Sequence, residues 1–201
     1  MAAYAPEQLF ALAKQNYDEA EAIILEVAKA IKENLDPNFN EATAMSCFDL
    51  VLQSSMLNAA TADGELEHNE IVFMTQITKY IDLLSILNAD LKEQYPDWQD
   101  ITWDIIPQLD SETQKTLSAA SVAVVEKYAD AFVNIFATVD KVITDVDFLQ
   151  LLTDKVGMMF VALTGIDGDD IEAEITNTEG NMAFAAFHVL VVEKWKAITG
   201  E

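Results

Sequence analysis

Acidic residues gather at two points where one apolar run gives way to the next, and oxygen ligands on a short loop suit a hard cation such as Ca²⁺ or Mg²⁺. The first stretch reads Thr61-Ala62-Asp63-Gly64-Glu65-Leu66-Glu67-His68-Asn69-Glu70. The second reads Thr138-Val139-Asp140-Lys141-Val142-Ile143-Thr144-Asp145-Val146-Asp147. In both, an Asp is followed seven residues later by another acid. Asp63, Glu67 and Glu70 are the candidate metal ligands, with Glu65 on the same turn. Asp140 and Asp147 make a weaker second copy, because Lys141 would repel a cation. Neither turn is an EF-hand, which needs Gly after the third ligand and Glu at the twelfth place. The Asp167-Gly168-Asp169-Asp170 loop fails too, since Ile171 stands where the third ligand belongs.

A structural reading of the same acids stands beside the metal reading. Thr144-Asp145-Val146-Asp147 fits a helix-capping box, with Thr144 as the cap and Asp147 at the third helical position. Glu70 or Asp147 there would stabilise a helix start through the dipole, by roughly 0.3–1 kcal/mol. Asp63 and Asp140 end apolar runs, where a negative charge opposes the dipole, unless the side chain folds back onto the next helix and clamps the angle between the two.

Other chemistry finds little support. His68 and His188 are the two histidines, and neither belongs to a His-x-x-x-His or Glu-x-x-His pair, so a transition-metal or di-iron centre is not expected. His68 reads as a solvated first-turn residue and His188 as a core or boundary residue. Cys47 is the one cysteine; it lies in an apolar run and reads as a small buried hydrophobe. There is no G-x-S-x-G elbow, no GxGxxG and no phosphate-cradling glycine loop. The chain is therefore not expected to be an enzyme.

Helices must position these turns. Leu9, Ala13, Ala20, Ile23, Ile24, Val27 and Ile31 recur at helical spacing and predict a helix over 6–35, stopped by Asp36-Pro37. Further helices are predicted over 41–63, 68–82, 112–139, 145–163 and 180–198, with Gly64 as a turn-former. Residues 85–109 carry Pro96, Pro107, Trp98 and Trp103 and predict one short helix plus a connector tucked onto the core. Ser111 and Gln114 fit a capping box for the helix that follows. A shift of 77 residues lays Met45, Phe48, Leu52, Met56 and Ala59 on Val122, Val125, Ala129, Val133 and Phe136, apolar in both copies, and Asp49 on Glu126. The expected fold is an all-α, compact bundle of about seven or eight helices with two pseudo-repeated helix-turn-helix units. The expected organisation is a single domain over 1–201: an N-terminal helical extension (1–36), a first repeat (40–95), a second repeat (111–165) and a C-terminal helix (177–199).

Composition narrows the partners. The formal net charge is −24 over 201 residues, and all eleven basic residues are Lys, with no Arg. Such a surface is repelled by a phosphate backbone and lacks the preferred fork for it, so nucleic acid is not an expected ligand. A protein partner, if there is one, is expected to be basic. The uncharged runs at 51–62 and 156–166 fall short of the roughly 18–20 residues a membrane span needs. No basic stretch followed by an apolar core opens the chain, so a cytoplasmic location is expected.

Ala62-Asp63-Gly64 with Glu70 resembles the A-D-G-x-x-x-x-x-x-E signature of the TerB-like tellurite-resistance domain, which is related to the N-terminal domain of DjlA-type co-chaperones. The span 40–156 looks like a two-copy version of it. Glu67 stands where the family has Ser or Thr, Lys141 replaces the second Gly, and Asp147 replaces Glu. The resemblance implies an all-helical, non-enzymatic stress-response protein, with cation binding at Asp63 and Glu70 and, in a degenerate copy, at Asp140 and Asp147.

Overall fold

The second apolar stretch becomes the centre of the molecule. Helix α2 (Glu41–Ala60) is buried on nearly every face; Ala44, Phe48, Val51, Leu52, Met56 and Leu57 are each 1% exposed or less. A helix apolar all round has to be wrapped by others. The structure, a computed structural model, describes residues 5–61, 66, 68–165 and 179–200. Among these residues the remaining elements are α1 (Pro6–Asn34), α3 (His68–Ile77), α4 (Leu83–Gln94), a 3₁₀ helix (Trp103–Gln108), α5 (Ser111–Val139), α6 (Phe148–Thr164) and α7 (Glu179–Thr199), with no strand. The chain is an all-α bundle. Helix α1 lies along α6, α2 lies along α5, and α7 packs on both α5 and α6. None of the described helices is long and apolar enough to cross a membrane.

Aromatic side chains tie the long helices together. Tyr17 of α1 meets Phe48 of α2 with ring centroids 5.9 Å apart, Phe48 stacks on Phe132 of α5 at 6.1 Å, and Phe132 meets Phe136 edge-on at 5.3 Å. Such pairs add to the burial of the rings themselves. At the other end, Phe160 of α6 faces Phe187 of α7 at 6.3 Å. Gly157 of α6 permits the close approach there: a Cβ at 157 would lie 3.0 Å from Cζ of Phe184.

Helices α3 and α4 are attached differently, through polar side chains buried in α2. Asp49 is fully buried. Its carboxylate accepts from the Tyr17 hydroxyl at 2.6 Å and from the backbone N–H groups of Lys79 and Tyr80 at 2.8 and 2.7 Å. One turn on, Gln53 donates to Thr78 Oγ1 at 2.6 Å and to the Met74 carbonyl at 3.2 Å, and accepts from Leu83 N–H at 3.2 Å. The bend from α3 to α4 thus obtains from α2 the partners that a helix end lacks. On the outside, Lys79 Nζ meets Glu21 at 2.6 Å and Asp18 at 2.9 Å, lies 5.0 Å above the Tyr17 ring, and the Tyr80 hydroxyl donates to Glu21. Burial pushes the Asp49 carboxyl above the usual carboxylate range, against the three hydrogen bonds that favour its charged form.

The Trp-bearing connector tucks in as expected. Asn88, 8% exposed, donates to the Ile101 carbonyl at 2.7 Å and accepts from Ile101 N–H at 3.0 Å and Trp98 Nε1 at 3.1 Å. Helix α2 ends at Ala60 rather than 63, and two further boundaries differ from expectation here. Helix α3 ends at Ile77 rather than 82, because the next backbone donors turn to Asp49 and Gln53. Helix α5 is capped by Asp110, not Ser111: Asp110 Oδ1 accepts from Thr113 N–H at 2.8 Å. Gln114, expected to reach back to the cap, is buried and donates to the Ile106 and Leu109 carbonyls instead. Cys47 is 7% exposed, and burial pushes its thiol up to about 11, so it is the inert hydrophobe expected.

Replacing Asp49 with Ala strands the buried Tyr17 hydroxyl and two partly buried N–H groups and is expected to cost about 3–5 kcal/mol in urea unfolding; a loss below about 1 kcal/mol would contradict this account of the bend. The same bend sets an alkaline limit. Burial first pushes the Tyr17 hydroxyl up, the hydrogen bond to Glu21 pushes the Tyr80 hydroxyl up, and the bond that Lys79 donates to Glu21 holds its ammonium up at about 12. Groups with raised folded values contribute full stability below their unfolded values and lose it as pH rises towards the folded ones. The urea midpoint is therefore expected to fall from about pH 9.5 to about pH 11.5, and the fall should shrink in Tyr17→Phe and Lys79→Met.

Candidate functional site

The second acidic turn lies between two strongly helical segments. Asp140 is the C-cap residue of α5, with φ −60° and ψ −18°, and the chain turns through Val142 and Ile143, whose N–H groups both bond to the Val139 carbonyl at 2.9 Å. Helix α6 begins at Phe148, which enters the core at 3% exposure. Its cap is Asp147: Oδ1 accepts from Gln150 N–H at 2.9 Å. The expectation of Thr144 as cap and Asp147 at the third helical position is corrected by one turn. Asp caps a helix at least as well as Thr, and a start at Phe148 puts that ring inside. Asp147 thus caps the helix that follows this turn.

At the first turn, Asp63, Glu65 and Glu67 lie outside the described residues, as does the Asp167–Asp170 loop. Glu70 is the third residue of α3 and is buried, 7% exposed; His68 opens the helix and is exposed, as expected. Among the described residues no three His, Cys, Asp or Glu side chains are grouped so as to hold a metal ion. Asp140 and Asp147, expected as a degenerate ligand pair, do share one feature: both line the same cleft.

That cleft has a volume of about 460 Å³ and separates the second turn from α7. Asp140, Asp147 and Gln150 line it from the α5–α6 side; His188, Val191 and Trp195 line it from α7. Val191 is buried at 2%, whereas His188 is exposed and Trp195 half-buried. His188 was expected in the core or at its boundary, but its neighbour Phe187 takes the inward place and leaves it facing out, 6.2 Å from the Phe184 ring. His188, Val191 and Trp195 share a helix face by their three- and four-residue spacing, which the sequence displays. Its pairing with residues 140–150, some forty residues earlier in the chain, was not visible there.

The 77-residue correspondence is uneven in its surroundings. Phe48, Leu52, Met56 and Ala59 are buried, as are Val125, Ala129, Val133 and Phe136, but Met45 is buried where Val122 is 37% exposed. Asp49 is fully buried where Glu126 is exposed. No protein-family model, curated protein or solved structure matches this chain.

Asp147→Ala removes the cap and is expected to cost about 1 kcal/mol in urea unfolding, whereas Asp147→Asn, which can still accept from Gln150 N–H, should cost only a few tenths. Equal losses in the two variants would mean that charge rather than capping is what this residue supplies.

Proposed function

We infer that this chain is a non-enzymatic, cytoplasmic interaction module of the TerB-like, stress-response type, whose acidic turns clamp helices and whose acidic surface meets a basic protein partner. The observation that carries this reading is where the carboxylates go. Asp49, Asp110 and Asp147 are committed to backbone N–H groups at helix ends or bends. Those acids work as fasteners of the fold, and fasteners need no substrate.

The surface carries the rest of the negative charge. The exposed lysines that pair do so with acids of the chain itself, as Lys14 with Asp18 and Lys92 with Asp100. Thirty-five acids against eleven lysines leave a large excess. Such a field speeds encounter with a basic partner and repels an acidic one.

A weak Ca²⁺ or Mg²⁺ site at the first turn, formed by Asp63, Glu67 and Glu70, is the second reading. Glu70 stands beside that turn as the third residue of α3, in place to contribute an oxygen.

Calorimetric titrations separate the two readings. A lysine-rich peptide is expected to bind saturably, with an affinity that falls steeply as salt is raised, while a glutamate-rich peptide of equal length gives no heat. Absence of saturable binding to the basic peptide at low salt would remove the interaction reading. Heat with Ca²⁺ or Mg²⁺ that disappears in Asp63→Asn would establish the ion site in its place.

A further inference from the structure

We propose that the cleft between the second acidic turn and α7 is the place where the basic partner is gripped, by accepting one lysine side chain of an extended segment. This deepens the reading just given and rests on it. Three features of the cleft define the occupant.

The first is charge. Asp140 and Asp147 stand on one wall, and among the described residues no lysine lines the cleft. Lys194, on α7, is drawn away by Asp130 at 2.9 Å. One hydrogen bond to Gln150 N–H uses a single acceptor position of Asp147, and a carboxylate offers about four. The cap therefore does not exhaust Asp147 as a partner for a cation.

The second is the opposite wall. Val191 and Trp195 offer an apolar and an aromatic surface. Lysine buries its methylene stem on apolar surface while its ammonium stays with polar groups, and a cation near an indole face gains further attraction. An inorganic divalent ion would have no use for that wall. A purely apolar ligand would have to desolvate the two carboxylates without replacing their partners.

The third is size. A cleft of about 460 Å³ falls within the range of ordinary ligand sites and exceeds what one lysine side chain fills. Thr144 and Gln150 line the same space; the Gln150 amide nitrogen donates to Asp154 at 2.8 Å, which leaves its carbonyl and the Thr144 hydroxyl for the backbone on either side of the inserted residue. The arrangement fits a peptide better than a free amine.

The test uses the full chain and the indole N–H resonances of its three tryptophans, with Trp195 assigned from Trp195→Phe. A short lysine-rich peptide is expected to shift the Trp195 signal and the amides of residues 144–150 saturably, leaving Trp98 and Trp103 in place. The same peptide with acetylated lysines should shift none of them. Trp195→Ala should weaken peptide affinity about tenfold. The double variant Asp140→Asn/Asp147→Asn, which keeps a capping side chain, should weaken it by a similar factor, whereas Asp97→Asn/Asp104→Asn, an equal change of charge on the connector at the opposite end of α5 from Asp140, should leave it nearly unaltered.

Equal weakening by the two double variants would show diffuse attraction and overturn the cleft. So would peptide binding seen by calorimetry with Trp195 unmoved, although the wider reading of a basic partner would then survive. No peptide binding at all would remove both. Spermidine binding at Trp195 as tightly as the peptide would overturn the protein partner in favour of a free polyamine.

Discussion

One carboxylate with no exposed surface holds the two halves of the architecture together. Asp49 sits inside α2, where a charged group without partners would be strongly disfavoured. It persists there because Tyr17 reaches it from α1 and two consecutive N–H groups reach it from the bend after α3. Two helices and a bend therefore converge on one side chain. The aromatic contacts from Tyr17 through Phe48 to Phe132 lie along the same line, so polar and apolar attachment share a single axis across α1, α2 and α5.

The same logic extends to the other inward-turned polar groups. Gln53 repeats the device one turn away, Asn88 fastens the tryptophan connector, and Asp110 and Asp147 start the two helices that follow the connector and the second turn. In a chain with so many acids, carboxylates near helix ends are easily taken for catalytic or ligating groups. Here several of them answer a simpler need, the unsatisfied N–H groups that every helix start exposes. What distinguishes the second turn is that its acids also border a cleft with an aromatic far wall.

Helical periodicity made α1, α2, α5 and α7 legible from the residues, because three- and four-residue spacing of Leu, Ile, Val and Phe reports a buried face directly. Caps were legible in kind but not in place. Ser111 and Thr144 match the pattern, yet Asp110 and Asp147 do the work, since an Asp beside an acceptable Ser or Thr competes on equal or better terms. The early end of α3 depends on hydrogen-bond partners twenty to thirty residues away in α2, which local pattern does not contain. Asp49 stood out only as a counterpart of Glu126, and its surroundings prove unlike. The cleft was hidden for a similar reason: α7 and the second turn become neighbours only when both have packed on α5 and α6.

A glycine that touches none of the cleft also governs its dimensions. Gly157 lies one turn beyond Thr153, and Phe184 one turn before His188, so the place where α7 presses hardest on α6 adjoins the cleft directly. Because the spacing between the two helices is pinned by a missing methyl group, even the smallest side chain at 157 would lever α7 outward unless the Phe184 ring gave way. A displacement of even a few tenths of an ångström would move Trp195 relative to Asp147 and alter the proposed grip without any change in the residues that line the cleft.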